Sequence, residues 1–171
     1  MSFDHKAFAF DWGSFQAEMA GLLGQALRTG NASNLERFID ANVSACASPY
    51  DGEKLDAGWR RSLGVGGLQV IADFALTKYY DPSDDHGLHE EWNELESGLS
   101  EADRHALLGT PFREGGDAVF DPGMMGSYFQ SPEQVRASLM TLRTVDAKEL
   151  ERYVRFLASV VREAKGLYVT F

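Results

Sequence analysis

Residues 146–171 read Asp-Ala-Lys-Glu-Leu-Glu-Arg-Tyr-Val-Arg-Phe-Leu-Ala-Ser-Val-Val-Arg-Glu-Ala-Lys-Gly-Leu-Tyr-Val-Thr-Phe. Leu150, Tyr153, Val154, Leu157, Val160, Val161 and Ala164 recur at the three- and four-residue spacing that places side chains on one face of a helix. Asp146 and Glu149 have the spacing of a capping box, which predicts a helix over 147–164. Gly166 is placed to stop it, and Leu167–Phe171 then reads as a closing strand. The opposite end offers a partner. Lys6 to Trp12 is aromatic and alternating, and predicts a strand over 7–11. The expectation is a helix-rich α+β fold, one domain over 1–171, with one small sheet that includes the N- and C-terminal strands.

Between these strands the apolar spacing is mostly helical. Phe15, Met19, Leu22, Leu23 and Ala26 form one helical stripe with Ser14 placed as its cap, and Gly30-Asn31 ends it. Ser33 and Glu36 have capping-box spacing for a helix over 34–47, whose apolar face includes Leu35, Phe38, Ile39, Val43 and Cys46. Leu55–Leu63 is a short amphipathic piece around Trp59. Leu68, Ile71, Ala72, Ala75, Leu76 and Tyr79 mark a third helix, and Leu88, Trp92, Leu95 and Leu99 a fourth. Ser100 is placed to cap a helix ending at Leu108. Ala118–Phe120 and Gly126–Phe129 read as short strands. Ser131, Pro132 and Gln134 combine a capping box with a first-turn proline.

Composition narrows the functional classes. The net charge is −10 and no basic cluster occurs, which argues against nucleic acid, whose phosphates need Lys and Arg. No apolar run approaches the roughly 20 residues of a membrane span. The first residues have neither the basic start nor the apolar stretch of a signal peptide, so a cytoplasmic location is expected. Cys46 is the only cysteine, which excludes an internal disulfide and a cysteine-based zinc cluster; its apolar neighbours predict a packing role.

From Tyr79 to Asp103 there are nine carboxylates and no Lys or Arg. Like charges at helical spacing, as at Glu90 and Glu94, are destabilising. Asp84, Asp85, Glu90, Glu91 and Glu94 are therefore the candidate docking surface for a basic protein partner. The competing reading is a solvated face whose charges pair with Arg143, Arg152 and Arg155. No metal is expected. Asp81, Ser83 and Asp85 imitate the start of a calcium loop, but His86 stands where glycine is needed and Trp92 where glutamate is needed. His86 and His89 do not have zincin spacing.

Sequence motifs give no catalytic residues and no cofactor: the chain has no nucleophile elbow, phosphate loop or dinucleotide fingerprint. Gly64-Val65-Gly66-Gly67 precedes a helix, yet lacks the lysine and preceding strand of a phosphate loop. The loop from Phe120 to Phe129 combines turn glycines with Met124, Met125, Tyr128 and Phe129, groups that suit either a core plug or an adaptable contact surface.

Leu55-Asp56-Ala57-Gly58-Trp59, Leu107-Leu108-Gly109 and Ser127-Tyr128-Phe129-Gln130-Ser131-Pro132-Glu133-Gln134-Val135 resemble elements of the YfbM-like family, bacterial proteins of unknown function. The resemblance lies mainly in the C-terminal third and implies no catalytic residue. In charge and size the chain is also similar to immunity proteins of bacterial toxin systems. The leading expectation is thus a protein-interaction module of immunity or regulatory type. The alternative is a small-molecule-binding domain or enzyme with a pocket near the 120–129 loop.

Overall fold

The computed structural model describes residues 2–171. Its centre is a three-stranded antiparallel sheet in the order β1 (Lys6–Phe10), β3 (Gly166–Thr170), β2 (Ser127–Gln130). Phe8 lies opposite Tyr168 and Ala7 opposite Val169, while β2 pairs Phe129 with Tyr168. The two terminal strands thus meet as the alternating pattern predicts. β3 is the middle strand and is buried from Gly166 to Val169, which explains its continuous apolar run.

Because strand side chains alternate, the sheet supplies two cores. Phe8, Phe10, Phe129 and Tyr168 face one, with α1 (Trp12–Glu18), α2 (Ala20–Thr29), α3 (Ser33–Ala41) and α4 (Leu68–Leu76) contributing to it. Ala7, Leu167 and Val169 face the other, with α5 (Glu91–Leu95), α6 (Glu101–Leu108), α7 (Pro132–Leu142) and α8 (Leu150–Arg162). Phe15 is the hub of the first core. Its ring packs against those of Phe10, Trp12, Tyr79, Phe112 and Phe129 at 5.2–5.9 Å.

Local signals decide several boundaries. The capping box of Ser131 and Gln134 is formed, and the Ser100 hydroxyl accepts the Asp103 amide. Other caps differ from expectation. Asp11, not Ser14, caps α1 by accepting the Ser14 amide, and the chain breaks at Met19 before α2. Ser33 is the first residue of α3, and its amide is held by the Asn31 side chain. The final helix starts at Leu150 rather than at 147, because 146–149 turns before it and Glu149 makes no side-chain cap bond.

The helix expected over 34–47 stops at Ala41, and a 3-10 turn over Val43–Ala45 follows. Cys46 is buried in extended backbone, and burial pushes its thiol up to about 11, which keeps it in the unreactive protonated form. The helix expected over 88–99 is only Glu91–Leu95 with a 3-10 turn over Glu96–Gly98, since His89 has a positive φ of 52°. Residues 118–120 form no strand of the sheet; Val119 makes only an isolated bridge to Arg113. No helix among the described residues is long and apolar enough to cross a membrane.

The segment before α5 clips the free edge of β1. The Ala7 carbonyl accepts the His86 amide, the His5 carbonyl accepts the His89 amide, and the Ala7 amide donates to the Asp85 carboxylate. Gly87 sits flat against this edge. A β-carbon there would collide with the His5 carbonyl oxygen, so the close approach requires glycine.

Candidate functional site

Beside the sheet, on the face of the first core, lies a cavity of about 120 Å³. Phe8 and Tyr168, a cross-strand pair, form its floor. α4 contributes Asp73, the segment after α4 contributes Tyr80, and the turn after Ser48 contributes Pro49 and Tyr50. Pro122 and Gly123 close one side. The walls are positioned by core contacts. Thr77 accepts the Ala47 amide at 2.9 Å and donates to the Phe74 carbonyl at 2.6 Å, tying the Tyr50 turn to the end of α4. The Tyr50 ring meets Phe74 edge to face at 5.9 Å. Phe8, Tyr80 and Tyr168 pack mutually at 4.8–6.2 Å.

Asp73 is the unusual group. It is 7% exposed, and among the described residues no group donates a hydrogen bond to its carboxylate and no cation pairs with it. Buried Asp side chains are normally paired or hydrogen-bonded, because an ionised carboxylate loses its hydration on burial. Desolvation alone raises its pKa to about 7. Near neutral pH the group is therefore divided between its neutral form and an unpaired charge beside aromatic rings. Burial raises the Tyr50, Tyr80 and Tyr168 hydroxyls, so these remain protonated donors. Lys6 is at the rim, with its ammonium 3.9 Å from Asp4.

Helical periodicity gave no sign of this residue, because it treats a polar position as solvent-facing. The available signal was compositional. Val70-Ile71-Ala72-Asp73-Phe74-Ala75-Leu76 is apolar on every side but for Asp73, and Gln69, Val70, Leu76 and Thr77, its neighbours one turn away, bear no charge.

The residues singled out in the 120–129 loop do not share a pocket. Met124 is 88% exposed, Met125 is also exposed, and Phe129 is buried in the first core. Tyr128 packs against the second core, since neighbouring strand residues face opposite sides. The loop reaches the cavity through Pro122 and Gly123 instead.

The acidic candidates also divide. Asp84, Glu90, Glu91 and Glu94 are exposed, and Trp92 is buried between them. Asp85 is half-buried and structural: it accepts the Ala7 and Gly87 amides at 3.0 and 2.9 Å and lies 3.7 Å from His89. Asp84 contacts His86, and Glu96 pairs with Arg104. Arg143, Arg152 and Arg155 form no ion pair with the stretch; Arg152 donates to the Gly87 carbonyl. His86 stacks on Phe156 at 4.4 Å while His89 contacts Asp4, so the two histidines serve different contacts. No group of three or more His, Cys, Asp or Glu among the described residues is arranged to hold a metal ion. Val65, in the glycine cluster, is fully exposed, and Gly67 begins α4 without a side-chain cap.

Comparison with protein-family models, curated proteins and solved structures found no match for this chain.

Proposed function

We propose that the chain is a small-molecule-binding domain whose site is the cavity around Asp73. The observation that supports this is a nine-tenths-buried carboxylate with no partner of its own, lining a preformed aromatic cavity. Such a group destabilises the unliganded fold, and a ligand that satisfies it would explain its placement. The test is a ligand-observed NMR screen of a small-molecule library, followed by mapping on backbone amides. Hits should shift the amides of Tyr50, Asp73, Tyr80 and Gly123 together. A library that yields no such hit, or hits that scatter over other surfaces, overturns the reading.

A second reading, a regulatory or immunity-type module that captures a basic protein, is favoured by one feature. Glu90, Glu91 and Glu94 are exposed on one short segment and make no ion pair among the described residues. Their field would accelerate encounter and weaken with salt. Replacing these three and Asp84 by Gln or Asn should leave the melting temperature within a few degrees, since exposed substitutions shift stability by about 0.5 kcal/mol or less. Association with a basic partner recovered from the host should slow about tenfold at low salt and converge with wild type at high salt. Equal rates at low salt would make the run a solvated face. Asp85 is left out of the substitution because it holds the β1 edge.

A further inference from the structure

We propose that the Asp73 cavity takes a small organic cation, the methylated or quaternary ammonium end of its ligand, held by the carboxylate and packed against the buried rings of Phe8, Tyr80 and Tyr168, with the largely exposed Tyr50 at the mouth. This rests on the reading that the cavity is a ligand site, and adds the class of ligand.

Four observations converge. Among the described residues no cation pairs with the carboxylate; Lys6 also lines the cavity, but its ammonium lies beside Asp4, so the negative charge of Asp73 is unused. Its surroundings are aromatic, and aromatic rings attract a cation placed near them while a compact anion gains nothing there. The polar side chains in the lining are the Asp73 carboxylate, the tyrosine phenols, Thr170, whose hydroxyl already meets Ser127 and Gly126, and Lys6, whose ammonium lies beside Asp4, so the oxygens left for a ligand are those of Asp73 and the phenols. Those oxygens suit one positive centre better than a polyhydroxylated molecule, which needs several donors and acceptors in fixed places. Size agrees as well. The cavity of about 120 Å³ is partly open and of the same order as the roughly 150 Å³ that encloses one benzene ring, which is comparable in bulk with a methylated ammonium head group. The net charge of −10 further favours capture of a cation over an anion.

The arrangement explains why methylation matters. A bare ammonium retains three donors, and burying them needs three acceptors at the correct angles. Methyl groups remove donors, spread the charge and pack against the rings, so the single carboxylate is sufficient. Asp73 would then be ionised in the complex, although without ligand burial pushes its carboxyl up to about 7. Cation binding and proton release are linked.

The experiment uses the full chain, choline as the cationic probe and 3,3-dimethylbutan-1-ol as its neutral isostere of equal shape. Calorimetry gives the affinities, and NMR follows the amides of Tyr50, Asp73 and Tyr80 and the Asp73 side-chain carboxyl. Choline should bind about tenfold tighter than the alcohol at pH 8, shift those amides, and lower the midpoint of the Asp73 carboxyl by about one unit or more. Asp73→Asn, confirmed folded by its melting curve, should lose the preference for the cation. If the alcohol binds as tightly as choline at the same amides, the cation class is overturned and the cavity remains a ligand site. If Asp73→Asn keeps the full preference, the assignment to Asp73 is overturned. If neither probe moves these amides and the library screen is also blank there, both readings fall.

Discussion

Asp73→Asn should make the ligand-free protein more stable at pH 8, by on the order of 4 kcal/mol, because the fold then no longer holds an ionised carboxylate that burial has stripped of its hydration. The sign follows from linkage. The Asp73 pKa is raised in the folded state, from 3.8 to about 7. Its contribution is therefore fully favourable below about pH 4 and is lost as pH rises through about 7. Wild type and variant should coincide near pH 3.5, where both carry a neutral side chain, and separate steadily up to about pH 7.5. His5 acts in the opposite sense. It is buried with its pKa lowered to about 4, so it destabilises the fold as pH falls from about 6.5 to 4. His5 is common to both proteins, and the difference between their denaturation curves isolates Asp73. For a chain of this length the gain at pH 8 corresponds to roughly 10 °C in melting temperature. A variant no more stable than wild type at pH 8 would mean that the carboxylate is already satisfied. A large gain would identify the stability given up at this position, as expected where a binding group opposes folding.

Gly87→Ala should destabilise the protein by about 3 kcal/mol or more, a large effect for one methyl group. No rotamer relieves the clash, because the added carbon meets the His5 backbone itself. The segment must lift from β1. It then loses the backbone bonds of His86 and His89 and both amide bonds to Asp85, and the Leu88 amide leaves His5 Nδ1. Among the described residues His5 Nε2 already has no partner, so this buried ring cannot compensate. Urea denaturation measures the loss, and hydrogen exchange should show the amides of Ala7, His86 and His89 deprotected ahead of β3. Gly98→Ala is the control, since a β-carbon there meets nothing within 4 Å. Equal stability of Gly87→Ala and wild type would show that the clip is not what holds the β1 edge.

The parts of the fold that were legible in the sequence are those fixed by local repetition. The final helix, both terminal strands and the Ser131 cap carry their signals within a few residues of one another. Boundaries failed where a cap-like pair had a competitor: Asn31 displaced Ser33, and the turn at 146–149 displaced Asp146. Leu88 and Leu99 matched helical spacing, but Leu88 belongs to the clip, where contacts with His5 fix its backbone, and Leu99 ends a 3-10 turn, its amide donating to the Glu96 carbonyl. The site was less legible still. Its walls come from positions 8, 50, 73, 80 and 168, and no spacing rule links them. Asp73 looks like a polar helix position until α4 is seen to be enclosed on all sides. The acidic run was visible as charge, but only the β1 edge shows that Asp85 is a structural acceptor.

The placement of β3 between β1 and β2 also sets an order of events during synthesis. The strand that pairs with the inner edge of β1 is made some 160 residues after it. At about 5–20 residues per second that interval lasts roughly ten seconds or more. The clip at residues 85–89 arrives midway and can occupy the outer edge, but Phe8 and Phe10 still lack Tyr168 and Phe129 to complete their packing. Throughout that interval the nascent chain carries an aromatic strand without its ladder partner. That is the period in which a chaperone, rather than the protein's own core, would shield it.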